Sequence, residues 1–158
     1  MGDEELDRLE IEFALSTPPI PDSQGMMAQD GNAAYHHSML FYHACLLYFR
    51  STTGRLEPQH EIKHLVSKCL DHIEALDGLK DGGCPRTWIY ALVAFEARAG
   101  DVRERVRKAF ERRKEGGFGT WGVVLRAAEE VWKRKDGSEG VGWSEVLAEL
   151  PQLDVLWY

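Results

Sequence analysis

Cysteine is scarce in this chain: Cys45, Cys69 and Cys84 are its three, and no two of them stand in C-x₂-C spacing. An odd, scattered set excludes a disulfide framework and a cysteine-clustered zinc module. With the first two inside apolar helical patterns, the thiols read as reduced and buried in an intracellular protein. Long apolar runs are missing too. Nothing approaches the roughly 18 residues that a membrane-spanning helix needs, so no membrane contact is expected. The opening Met1-Gly2-Asp3-Glu4-Glu5 lacks the basic and apolar regions of a signal peptide. Leu6 stands where a myristoylation site needs Ser or Thr. Positive charge is not in excess either: the formal net charge is −7. Residues 1–30 hold eight acids against Arg8 alone, and residues 31–158 balance at 18 acids and 18 bases. An acidic head on a neutral body provides no broad electrostatic footprint for nucleic acid.

What is present suffices for one domain with a real core, since the 158 residues are 44% hydrophobic. Residues 1–15 place Leu6, Leu9, Ile11, Phe13 and Leu15 among acids in a pattern that fits either a helix or a strand. Residues 17–34, with three prolines and several Gly, Asn, Asp and Ser, read as a loop. Tyr35 to Ser51 is an aromatic-rich helix, apolar almost all round and ended by Gly54. Pro58 opens the clearest amphipathic helix, with Ile62, Leu65, Val66, Cys69, Ile73 and Leu76 on one stripe. Gly78, Gly82 and Gly83 break it. A helix from Pro85 to Ala99 follows, and then one capped by Asp101 that buries Val102, Val106, Ala109 and Phe110. The last helices run from about Trp121 to Lys135 and from Trp143 to Leu150, before an apolar tail from Leu153 to Tyr158. There is no βαβ alternation and no internal repeat. The class is all-α, an irregular bundle of five to six helices, divided as an acidic segment and loop over 1–34 and a helical body over 35–158.

Two motifs point toward enzymes, and their contexts argue against both. His60-Glu61-Ile62-Lys63-His64 matches H-E-x-x-H, in which two histidines one turn apart hold zinc and the glutamate activates water. Taking about 100° per residue from Ile62, the two histidines lie at roughly 160° and 200°, opposite the apolar stripe. A catalytic zinc needs a partly dry cavity and a third protein ligand, so the pair reads as exposed and no zinc is expected. Gly117-Phe118-Gly119-Thr120-Trp121-Gly122 matches G-x-G-x-x-G. A helix end, Arg112 to Glu115, precedes it instead of the strand that dinucleotide binding requires, so Gly116 or Gly117 reads as a helix C-cap.

Three further groups need a role. His36, His37 and His43 near Cys45 read as satisfied core or boundary histidines. Arg103 to Lys114 holds seven bases and two acids. It fits either a nuclear-import or DNA patch, or a solvated face paired with neighbouring acids, and the second is favoured. Glu96, inside an apolar helix, calls for an ion pair, with Arg103 or Arg105 as candidates, because an unpaired buried carboxylate costs several kcal/mol. The acidic head has the composition of a segment that folds on a partner, or of an ordinary packed first helix.

The stretch from Trp88 to Trp132 carries a resemblance. An apolar helix opened by Trp88 runs to Glu96, an Arg-rich helix containing Arg103 and Arg105 follows, then a turn at Gly119 and a helix ended by Val131-Trp132. That succession resembles the C-terminal part of the fungal-specific transcription factor domain, the helical region of many fungal regulators that carry a binuclear zinc cluster. Where the family often has Pro after the tryptophan and Gly-Cys before the glutamate, this chain has Ile89, Ala94 and Phe95. Upstream, Tyr42 to Arg50 is similar to the family's apolar helix, and the Pro-rich approach at Thr17 to Asp22 matches more weakly. Family domains are usually two or more times longer, so the chain looks like the C-terminal portion of one. The resemblance implies a nuclear, non-catalytic regulatory domain without cofactors, in which Trp88, Glu96, Phe110 and Trp132 are structural. The six-cysteine DNA reader is absent from these residues, so no direct DNA binding by this chain alone is expected. The alternative is a stand-alone helical protein that pairs with a full-length regulator. In the family these helices pack on an N-terminal helical region. A self-association or partner surface is therefore expected beside Tyr42, Leu46 and Phe49, with Trp157 and Tyr158 as anchors.

Overall fold

The computed structural model describes residues 2–16, 29–53, 59–115, 119–138, 140 and 142–149. Among these residues the chain forms helices and no strand: α1 (Asp3–Leu15), α2 (Gln29–Thr53), α3 (Gln59–Gly78), α4 (Thr87–Glu96), α5 (Gly100–Lys114), α6 (Thr120–Gly137) and α7 (Trp143–Ala148). The fold is all-α, with seven helices among the described residues where about five to six were expected. None is long and apolar enough among the described residues to cross a membrane.

Helix α4 forms the axis of the bundle. Every residue from Ile89 to Glu96 is buried, so it is apolar all round and must be covered on every side. Helices α2, α3, α5 and α6 all pack against it. Helices α2 and α3 run antiparallel: His36 near the start of α2 meets His72 late in α3, while Arg50 near the end of α2 pairs with Glu61 early in α3. The stripe Ile62, Leu65, Val66, Cys69, Ile73 and Leu76 is buried as its period predicts. Helices α5 and α6 are likewise antiparallel, with Arg103 beside Asp136 and Arg107 beside Glu129. Val102, Val106, Ala109 and Phe110 supply the buried stripe of α5.

Several local expectations shift. Residues 3–15 form a helix, which buries Leu6 and ties Glu10 to Arg50 at 3.3 Å. Helix α2 begins at Gln29, six residues before the expected Tyr35, so residues 29–34 are helical and not loop. Asp101 does not cap α5. The N-cap is Ala99, and Asp101 sits in the first turn, where its charge still favours the positive helix end. The expected stops and starts at Gly54 and Pro58, the turn at Gly116–Gly117 and the tail Leu153–Tyr158 lie outside the described residues.

The link from α3 to α4 depends on two glycines. A Cβ on Gly82 would stand 2.0 Å from the Leu76 carbonyl oxygen, and Gly83 has φ +69°. Only glycine lets the chain turn this closely over the end of α3. His37 Nε2 donates to the Gly82 carbonyl at 2.7 Å, which fastens this link to α2.

Candidate interaction surface and the arginine face

The tryptophan near the end of α6 is the point where three helices are tied together. Trp132 is 3% exposed, and its Nε1–H donates to the Ala94 carbonyl of α4 at 2.7 Å. The guanidinium groups of Arg103 and Arg107, one turn apart on α5, lie over its ring at 5.3 and 5.1 Å. This cation–π geometry uses the negative face of the indole. Arg103 also donates to the Ala97 carbonyl at 3.2 Å and forks onto Asp136 at 2.6 and 2.7 Å. That pairing holds the Asp136 carboxyl below its ordinary pKa.

The remaining arginines of α5 are committed in the same way. Arg105 contacts Glu74 at 2.9 Å, Asp71 at 2.8 Å and Ser67 at 3.2 Å, which raises its pKa through hydrogen bonds to Glu74 first and Asp71 next. Arg112 and Arg113 share the mostly buried Asp77 at 2.9 and 2.6 Å. Arg113 also meets the Tyr90 hydroxyl at 3.1 Å, and burial pushes that phenol up to about 12. Each arginine thus stitches α5 to α3, α4 or α6. The five arginines of the basic run are ion-paired with acids, largely from neighbouring helices, while Lys108 and Lys114 are exposed.

Glu96 is buried, and its partners come from elsewhere than expected. Lys135 of α6 reaches it at 3.2 Å and donates to the Phe95 carbonyl at 3.0 Å, with Arg98 at 4.0 Å. Arg103 and Arg105 face Asp136 and the acids of α3 instead. Burial lowers the Lys135 pKa and the adjacent Glu96 carboxylate opposes that shift. Phe110 is buried edge-on to Tyr90 and Trp121. Trp88 is partly buried and packs against the core at its border, with Phe41 edge-on at 5.9 Å.

The surface of α2 separates the aromatic residues that the sequence places in succession. Leu40, Ala44 and Leu47 are buried against α3 and α4, which turns Phe41 and Tyr48 outward with 51% and 47% of their surface exposed. Of the residues expected to meet a partner, Tyr42, Leu46 and Phe49 are half-buried. Leu46 packs on the core and Tyr42 lies edge-on to His43. Trp157 and Tyr158 lie outside the described residues. Helical period puts Phe41 and Tyr48, two turns apart, on one side of α2 and off the Leu40–Leu47 stripe.

Between α2 and α3 lies a group of histidines that sequence spacing brought only half into view. His36 Nδ1 and His72 Nδ1 are 2.9 Å apart, so one donates and the other accepts. His43 stacks on His72 with ring centroids 5.6 Å apart, and its buried Nδ1 has no hydrogen-bond partner among the described residues. Burial first, then the nearby His72, Lys68 and His64, push the His43 imidazole down to about 4. The sign follows from linkage. The unfolded chain takes up this proton near pH 6.5 and the folded chain only near 4, so stability falls as pH drops through that window and levels off below it. After discounting for solvent screening the loss is about 1–2 kcal/mol. Urea unfolding from pH 7 to 4 should show it, and His43→Phe, which keeps the stack, should remove that part of the slope. Of the H-E-x-x-H motif, His64 is exposed and Glu61 pairs with Arg50, while the His60 side chain lies outside the described residues. Among the described residues no three His, Cys, Asp or Glu side chains stand together as metal ligands.

Comparison with known proteins bears on what such a bundle belongs to. Over 130 residues the chain is 25% identical to Arginine metabolism regulation protein II of Saccharomyces cerevisiae. The match covers 79% of this chain and 15% of that protein, so the chain spans a small part of its curated relative's length. No solved structure matches the chain significantly. The fungal-specific transcription factor domain matches residues 3–158. On that match over nearly its whole length, the chain belongs to the fungal-specific transcription factor domain family.

Proposed function

We propose that this chain is a non-catalytic regulatory domain that acts in transcription, in the nucleus, through protein contacts on the outer face of α2. Family membership supports the regulatory role, and the carrying observation for the mode of action is the contrast between two surfaces. The arginines of α5 are paired with acids and stacked on Trp132. The outer face of α2 presents Phe41 and Tyr48 to solvent. Arginines already paired with acids release few counterions on meeting DNA, whereas exposed aromatic side chains on a helix favour protein contact. In this reading residues 35–158 carry the interaction and residues 1–34 are an accessory acidic segment.

The test is to fuse the chain to an unrelated DNA-binding module upstream of a reporter gene. Reporter output should change with the fusion, and Phe41→Asp with Tyr48→Asp should remove that change while leaving the melting midpoint of the isolated chain in place. A reporter indifferent to the fusion would overturn the regulatory reading. The isolated chain should give no sequence-selective shift of duplex DNA at nanomolar protein.

A further inference from the structure

Helix α2 carries no Asp, Glu, Lys or Arg from Gly31 to Phe49, although one side of it faces solvent. On that side stand Ala34, Ser38, Phe41, Cys45, Tyr48 and Thr52, all exposed except the half-buried Cys45. Their spacing alternates four and three residues, which is the a/d seam of a coiled coil. Surface helices normally place charged side chains at such positions. The buried stripe Leu40, Ala44 and Leu47 lies about a third of a turn away around the helix, so α2 has one seam toward its own core and a second seam facing outward.

We propose that the outward seam pairs with the same seam of a second copy of this chain, antiparallel, about a two-fold axis near His43. This rests on the reading of α2 as an interaction surface and names its partner. The seam is self-complementary about its midpoint: each of its two large side chains has a small one at the mirrored position. With the axis at that point, Ala34 meets Thr52 of the partner subunit, Ser38 meets Tyr48 of the partner subunit, and Phe41 meets Cys45 of the partner subunit. Each a position then faces a d position, as antiparallel helices require, and each ring meets a small side chain. Parallel pairing would set Phe41 on Phe41 and Tyr48 on Tyr48, with gaps at Ser38 and Cys45. A seam without charge brings no like charges together in a self-pair. Trp88 lies edge-on to Phe41 at 5.9 Å and holds that ring in place before association. A seam of this length spans about 28 Å of helix. One helix pair falls at the small end of specific interfaces, below about 1,200 Å², so the dimer is weak and concentration-dependent.

Sedimentation velocity of the intact chain from about 1 to 200 μM tests this, a range suited to an interface of that size. The weight-average coefficient should rise toward that of a dimer, and Phe41→Asp or Tyr48→Asp should return it to the monomer value. Both side chains are half exposed, so circular dichroism of either variant should match the parent. Register is tested by oxidation in a Cys84→Ser background. Phe41→Cys, opposite Cys45 of the partner subunit, should give a covalent dimer that the Cys84→Ser parent does not. A covalent dimer formed by the parent through Cys45 alone would indicate parallel pairing and overturn the proposed register. A monomer throughout the concentration range would overturn the pairing itself. The reporter fusion tests the regulatory reading separately, so the two can fail independently.

Discussion

Replacing Trp132 by Ala should destabilise the chain by about 3–5 kcal/mol, the cost of removing a large aromatic side chain from a packed core. The indole is almost wholly buried and ties its own helix α6 to α4 and α5. Truncation leaves a cavity between α4, α5 and α6, removes the donor to the Ala94 carbonyl and deprives Arg103 and Arg107 of the ring beneath them. The carbonyl is not left bare, because the Ala97 N–H also reaches it at 3.2 Å. The loss should therefore come mainly from packing. Trp132→Phe separates the terms: it keeps a ring for the two guanidinium groups and gives up the hydrogen bond, worth about 0.5–1.5 kcal/mol, with some volume. Urea unfolding should rank the proteins parent, Trp132→Phe, Trp132→Ala. An unchanged midpoint for the Ala variant would show that the three-helix junction does not hold the fold. Trp88→Ala should cost less than Trp132→Ala, since Trp88 is only partly buried at the edge of the core.

The elements read well from sequence are those whose signal is local and periodic. The stripes of α3 and α5 are buried residue for residue because a helix with one broad apolar face has one way to lie on a core. The first fifteen residues were ambiguous for the converse reason: Leu6, Leu9 and Phe13 suit one period, and Leu9, Ile11 and Phe13 the other. The start of α2 was hidden by composition, since Asp30, Gly31 and Asn32 look like loop residues and yet sit in its first turns. Propensity is a weak prior that packing against α3 overrides.

The candidate site was legible in part. Helical period places Phe41 and Tyr48 on one side of α2, but which side meets solvent depends on where α3 and α4 lie. That is tertiary information. The same limit explains His72: it stands 36 residues from His36, and only the antiparallel pairing of α2 and α3 brings them together. The demand that Glu96 have a cationic partner followed from the cost of burying a carboxylate. The partner's identity did not, because Lys135 stands 39 residues away.

Replacing Lys135 by Met should cost about 3–5 kcal/mol at neutral pH, because it strands a buried carboxylate. Glu96 is 4% exposed, and after the substitution its nearest cation is Arg98 at 4.0 Å. The methionine side chain fills most of the lysine's volume, so the loss comes from charge and the Phe95 carbonyl contact, with little cavity term. Two further observations distinguish this from a packing defect. Pairing Lys135→Met with Glu96→Leu removes both charges and should recover most of the lost stability, since an apolar pair is often as stable as a buried ion pair. A double-mutant cycle then gives a coupling energy of the opposite sign to the single losses. The second observation is pH dependence. In the single variant Glu96 is a buried carboxylate without its ammonium partner, and burial without a partner disfavours the charged form. The protonated form carries no such cost, so the deficit relative to the parent should shrink as pH falls from 7 to 4. Comparison with the parent at each pH cancels the acid loss due to His43, which both proteins share. A deficit that stays constant from pH 7 to 4 would mean that Glu96 is not held as an ion in the core, and that Lys135 acts there through its aliphatic stem alone.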